Sequence, residues 1–250
     1  MLKNKGLLVV FSVCFLFFAC KSEGDKAFEE AGKLVDSERY TDAIEFLDKA
    51  IEKSPNHAGL FYWRGYCYNH EGDPNKALND FTNCIRIDNK YANGYYGIAG
   101  VYKDKGEYDL AEANYNKAIE FAKNNERKST YLTGLASLYN TKKDYSKAIE
   151  YMSQAIKLED NSGYYYSLGL YLYHNDQMKE AEEAWLLGIK KDSFRQIEFK
   201  HYTYRELAAY YYRENELEKA KVNIEKALEL SPNNDQYLRL YNLIKEKIGK

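Results

Sequence analysis

The chain has 250 residues, with 36 Lys and Arg against 38 Asp and Glu and 45% hydrophobic content, enough for one sizeable domain or an elongated array. A net charge of −2 with no block of Lys and Arg excludes a strongly basic nucleic-acid binder, and the apolar content excludes a disordered chain. The unusual quantity is tyrosine, at 26 residues beside 11 Phe and 2 Trp.

Lys3 and Lys5 open the chain, and an apolar run from Leu7 to Ala19, broken only by Ser12, leads to Cys20. Thirteen helical residues reach about 20 Å, short of a ~30 Å hydrocarbon core, so a signal peptide is a better reading than a spanning helix. The residues Phe17-Phe18-Ala19-Cys20 resemble the lipobox of bacterial lipoproteins, with Ala19 in its small position and Phe17 where Leu is usual. That resemblance implies a signal peptide over residues 1–19, lipid on the thiol and amine of Cys20, and anchoring in the cell envelope, with the outer membrane favoured. The following Lys21-Ser22-Glu23-Gly24 reads as a tether of roughly 15 Å. Cys14 would leave with the signal. Cys67 and Cys84 read as small buried residues, a single disulfide being the alternative.

The remainder is one unit written six times. Small residues recur at Ala43, Ala77, Ala111, Ala148, Ala181 and Ala220, and again seven positions later at Ala50, Cys84, Ala118, Ala155, Gly188 and Ala227. A bulky residue stands between each pair: Leu47, Phe81, Tyr115, Met152, Trp185 and Ile224. Upstream lie Ala31, Gly65, Ala99, Ala136, Gly169 and Ala208, followed three residues later by Leu34, Tyr68, Tyr102, Tyr139, Leu172 and Tyr211. This pattern resembles the tetratricopeptide repeat (TPR), with starts near Gly24, Ala58, Ala92, Ser129, Ser162 and His201 at a period of about 34 residues. The resemblance covers residues 24–234 and implies an all-α, right-handed superhelix of helix-turn-helix repeats, stabilised by stacking.

Two joints exceed the period, around Lys123–Lys128 and around Asp192–Lys200, and are expected to extend helices with local packing. Phe194, Ile197 and Phe199 in the second leave an exposed docking edge as the alternative. Residues 235–250 read as a capping helix with Tyr237, Leu238, Tyr241, Ile244 and Ile248 facing inward and a polar outer face.

No phosphate-cradling loop, HExxH, CxxC or nucleophile elbow occurs, so no residue is a candidate for catalysis and no cofactor or metal is implied. His70 and His174 occupy equivalent positions three repeats apart, too distant to share a metal, and read as exposed solitary histidines.

In this family the first helices line a concave groove. Carried over position by position, its candidates are Tyr62, Tyr66, Asn69, His70, Asn93, Tyr96, Lys103, Asn140, Tyr166, Tyr173, His174, Tyr202, Arg205, Tyr212 and Arg213, with Phe28, Val35, Asp104, Thr133, Ser137 and Thr141 at further such positions. Tyr, Asn, His and Arg are the composition of recognition surfaces. The residues of the chaperone-binding carboxylate clamp are missing, since Phe28, Gly32, Trp63, Asn93 and Gly97 stand at its first positions. The resemblance therefore implies a non-enzymatic scaffold of the envelope, membrane-bound through its lipid and holding a partner protein segment. It looks in outline like lipoproteins that assist secretin assembly, β-barrel assembly or peptidoglycan-hydrolase recruitment. A glycan- or peptidoglycan-binding module is the alternative; oligomeric state is open.

Overall fold

The computed structural model describes residues 21–191 and 197–249. The expected signal peptide, Cys20 and Phe194 lie outside them. Among the described residues there are thirteen helices and no strands: α1 Glu23–Asp36, α2 Tyr40–Lys53, α3 Ala58–His70, α4 Pro74–Ile87, α5 Ala92–Asp104, α6 Tyr108–Glu120 and α7 Asn125–Thr141. They continue as α8 Tyr145–Leu158, α9 Ser162–His174, α10 Met178–Lys190, α11 Ile197–Arg213, α12 Leu217–Leu230 and α13 Asp235–Ile248. The chain is an α-solenoid of six antiparallel helix pairs followed by a single terminal helix.

Local chemistry starts and stops these helices. Ser22 caps α1 by accepting from the Asp25 amide while the Asp25 carboxylate accepts from the Ser22 amide. Asp73 caps α4 ahead of Pro74, and Asn124, Asp144, Asn161 and Asn234 cap α7, α8, α9 and α13. The cap at Ser22 shortens the expected tether: Glu23 and Gly24 belong to α1, and Gly24 is buried against His57.

Each pair turns through a residue with positive φ at the same position: Glu38, Gly72, Gly106, Lys143, Asp176 and Asn215. The amide of that residue bonds back to a last-turn carbonyl, as Lys143 does to Asn140, and the next amide reaches one residue further, as Asp144 does to Tyr139. This is the Schellman motif, repeated six times. Only Gly72 and Gly106 adopt the left-handed conformation without a side-chain penalty.

Packing follows the repeat. The small–bulky–small triplet of every second helix is buried, from Ala43, Leu47 and Ala50 in α2 to Ala220, Ile224 and Ala227 in α12. Ala31, Gly65, Ala99, Ala136, Gly169 and Ala208 of the first helices are buried against them. At Gly169 an added Cβ would lie 2.2 Å from the Trp185 indole nitrogen, and at Gly65 one would lie 2.9 Å from the Phe81 ring. Tyr139 and Tyr211 are buried as packing residues and donate to the Glu112 and Glu182 carboxylates. Tyr68 and Tyr102 are half-buried.

A buried ion pair inside the second repeat is tied to the first repeat through Asp48. Asp80, 1% exposed, accepts from Nε and Nη2 of Arg64 at 2.7 and 2.8 Å, and Arg64 also donates to Asp48 on α2 at 2.6 Å. Cys67 and Cys84 are free and buried in different parts of the core.

Both longer joints carry added helix: α7 begins four residues before the expected start at Ser129, and α11 four before His201. The terminal helix departs from expectation. Tyr237 and Ile244 are buried and Tyr241 half-buried, but Leu238 and Ile248 are each 39% exposed. Among the described residues α13 packs chiefly on α12 and α11, and Leu238 and Ile248 lie on the side these do not cover.

Two substitutions check this account by thermal or urea unfolding. Gly169→Ala is expected to destabilise by about 1–3 kcal/mol, because Trp185 has to move. Lys143→Gly is expected to stabilise by about 1 kcal/mol, because it relieves the left-handed strain.

Candidate functional site

First helices touch first helices along the array: α1 packs on α3, α3 on α5, α5 on α7, α9 on α11 and α11 on α13. Among the described residues the second helices make their main contacts with first helices. Chain is therefore most crowded along the first-helix side, the inner and concave one. The approach of α7 to α9 is looser and is bridged by polar side chains: the Ser129 hydroxyl lies 2.6 Å from Glu159 Oε2, and the Tyr164 hydroxyl donates to the same oxygen.

The N-terminal half of this face carries a connected run of rings. Phe28 lies against His57 and Trp63, and Tyr62 contacts Trp63, Tyr66, Phe81 and Tyr91 at 5.1–6.4 Å between centroids. Burial pushes the Tyr62 and Tyr66 hydroxyls above the usual tyrosine range. Asn69 and His70 are exposed, but His70 is not solitary: its ring stacks on Tyr40 at 4.6 Å and meets Tyr66 at 4.5 Å. His174 stacks on Tyr145 in the equivalent way, at 5.3 Å. Val35 is a buried core residue and leaves the groove set.

Asn93 accepts from the Tyr131 hydroxyl, and Tyr96 packs between Tyr115 and Tyr131. Lys103 reaches Ser137 Oγ at 3.4 Å. A groove of about 460 Å³ opens here, lined by Tyr96, Lys103, Thr133, Ser137, Asn161, Tyr164 and Ser167, with Phe199 at its edge. Asn140 is half-buried on the same helix as Thr133 and Ser137.

In the C-terminal half, Tyr166 packs on Phe199 and Tyr202, and burial pushes its hydroxyl up to about 12. Tyr173 lies against Trp185 and beneath the Arg213 guanidinium. Tyr202 is 45% exposed and faces His201 at 4.0 Å. Arg205 pairs with Glu206, whose pKa is raised chiefly by burial. Tyr212 lies under Lys247 of α13, so the terminal helix already engages it.

The structure thus brings the predicted residues into two groups, Tyr62 to Asn140 and Tyr166 to Arg213. Most of their tyrosines are half-buried with polar tips. Trp63 is wedged between α1 and α3 beside Gly32, and Trp185 is buried with its indole N–H donating to the Tyr166 carbonyl. Repeat reasoning missed Tyr91, which precedes a repeat start by one residue. It also missed Arg127 and Tyr131, on or just after an insertion that the alignment set aside; only the length of that joint signalled them. No group of three or more His, Cys, Asp or Glu among the described residues is placed to hold a metal.

Sequence profiles described as Tetratricopeptide repeat match residues 46–79, 90–158, 133–195 and 203–234. A TPR repeat-containing protein of Methanocaldococcus jannaschii is 29% identical over 251 residues, covering 90% of this chain and 42% of its own length. Heat shock protein STI1 of Saccharomyces cerevisiae is 35% identical over 108 residues, 42% of this chain and 17% of its own length. The chain spans less than half the length of these curated relatives. Among solved structures, Pseudomonas aeruginosa pilF superposes with a TM-score of 0.72 at 15% identity, over 90% of this chain and 97% of that one. YrrB, described as a TPR protein with an unusual peptide-binding site, gives 0.55 at 20% identity over 77% and 96%. At these identities the likeness is one of fold.

The C-terminal group yields a pH test. His201 Nδ1 lies 2.7 Å from the Tyr237 hydroxyl, and burial lowers the histidine below its ordinary 6.5. Folding favours the neutral ring, so this stability is complete above 6.5 and lost as pH falls through the lower folded-state value. Between about pH 7 and about pH 5, wild type is expected to lose more stability than His201→Gln, measured by urea unfolding at each pH.

Proposed function

Because the chain belongs to the tetratricopeptide-repeat family, we propose that it is a non-enzymatic scaffold holding a segment of a partner protein along its concave face, anchored in the cell envelope through lipid on Cys20. The observation that carries the binding half is the groove itself. Half-buried tyrosines supply apolar area at low entropic cost, and Asn69, Lys103, Ser137 and Asn161 supply hydrogen-bonding groups between them. The peptide-binding site described for YrrB supports the same use of the shared fold.

The anchoring half rests on the leader: a basic start, a short apolar run and Cys20 after a small residue. No helix of the described residues is long and apolar enough to cross a membrane. With Ser22 already capping α1, an anchor on Cys20 would hold the first repeat against the bilayer, separated by little more than Lys21.

The test is crosslinking in intact envelopes with the full chain and its Cys20→Ala variant, followed by fractionation. Partners captured specifically from the membrane fraction of the native form alone are the expected result. If both forms are soluble with the same partners, the anchor is refuted and the scaffold stands; if neither captures a specific partner, the scaffold is refuted. A variant combining Asn69→Ala and Tyr202→Ala, both exposed side chains, is expected to lose capture while far-UV circular dichroism stays unchanged.

A further inference from the structure

The joint between the third and fourth repeats contains more than spacer. The extra turn of α7 carries Arg127, and Lys123 precedes it. With Phe28, Tyr91, Ala92, Asn93 and Tyr131 these two cations line a pocket of about 200 Å³ on the concave side. Its lining has no carboxylate, although acids outnumber bases in the chain. Neither Lys123 nor Arg127 has an ion-pair partner among the described residues. Arg127 is near enough to Tyr62, Tyr91 and Tyr131 for its charge to act on all three hydroxyls.

Two further features shape the site. α5 begins beside it with no side-chain cap and no acidic residue in its first turn, so its first-turn amides, apart from that of Gly94, which donates to the Tyr91 carbonyl, add positive potential. Gly59, at the start of α3, lets the ring of Phe28 on α1 and the phenol of Tyr91, just before α5, meet across it: a Cβ there would lie 2.6 Å from Phe28 and 3.1 Å from the Tyr91 hydroxyl. The cationic side therefore faces an aromatic one.

We propose that this pocket receives the side-chain carboxylate of an acidic residue in the bound polypeptide, with Lys123 and Arg127 as its counter-ions and Phe28 covering the apolar residue beside it. The assignment deepens the scaffold reading and rests on it. A carboxylate next to an apolar side chain uses both sides of the lining, whereas a free phosphate uses the cations and leaves Phe28 bare. Both cations come from residues that exceed the repeat period.

The experiment measures fluorescence anisotropy with the full chain purified in detergent. The probes are short rhodamine-labelled peptides with amidated C-termini, alternating Leu with Glu, Gln or Lys. The Glu peptide is expected to bind about tenfold tighter than the Gln peptide, close to the lower end of what one charge-assisted hydrogen bond contributes. Lys123→Gln with Arg127→Gln should abolish that preference without changing affinity for the Gln peptide. Lys123→Glu with Arg127→Glu should turn the preference towards the Lys peptide, with circular dichroism confirming that each variant is folded. Equal binding of Glu and Gln peptides by wild type, or a preference that survives the double Gln variant, overturns the pocket alone and leaves the groove intact. Inorganic phosphate binding more tightly than the Glu peptide makes this a phosphate site and also overturns the proposal. Failure of every peptide to bind counts against pocket and groove together.

Discussion

Everything in this chain depends on how closely two helices are allowed to approach. Gly169 under Trp185 and Gly65 under Phe81 leave no room for even a methyl group. Where the position is Ala, as at Ala31, Ala99, Ala136 and Ala208, it is fully buried. Close approach lets one bulky residue per pair fill the space between helices, and the filled pair then presents a flat apolar side to the next. Without that contact the pairs would be isolated amphipathic hairpins, none with enough buried area to fold alone.

The aromatic groove is a by-product of the same geometry. A first helix has one stripe turned towards its partner and another along the inner curve, and tyrosine serves both. Tyr139 and Tyr211 send their hydroxyls back to Glu112 and Glu182 on the second helix of the preceding repeat, while Tyr62, Tyr66 and Tyr96 form the inner array. A phenol satisfies both demands because its ring packs while its hydroxyl finds a partner or water. The abundance of tyrosine is thus structural first, and the candidate groove is lined by tyrosines that the core did not bury.

How much of this was legible in the sequence follows from which features are periodic. The small–bulky–small triplets repeat six times and are buried as the pattern requires. The turns are less legible: Glu38 and Lys143 adopt a left-handed conformation that their chemistry does not announce, because hydrogen bonds to the preceding helix impose it. Leu238 and Ile248 obey helical periodicity yet face outward, since periodicity assigns a face and only a neighbour can cover it. Arg127 was hidden for a different reason. An alignment that seeks the repeated unit discards insertions, and Arg127 sits in one.

Among the described residues the main helix contacts join elements one or two places apart along the chain. Among the described residues no strand or loop returns from a distant part of the sequence to complete the core. The entropy of loop closure is therefore met in small instalments, and any repeat with its neighbour can serve as a starting point for growth in either direction. Such a chain has a low contact order, the regime in which folding is fast and long-lived half-formed states are few. It can take shape progressively from one end, each finished repeat templating the next.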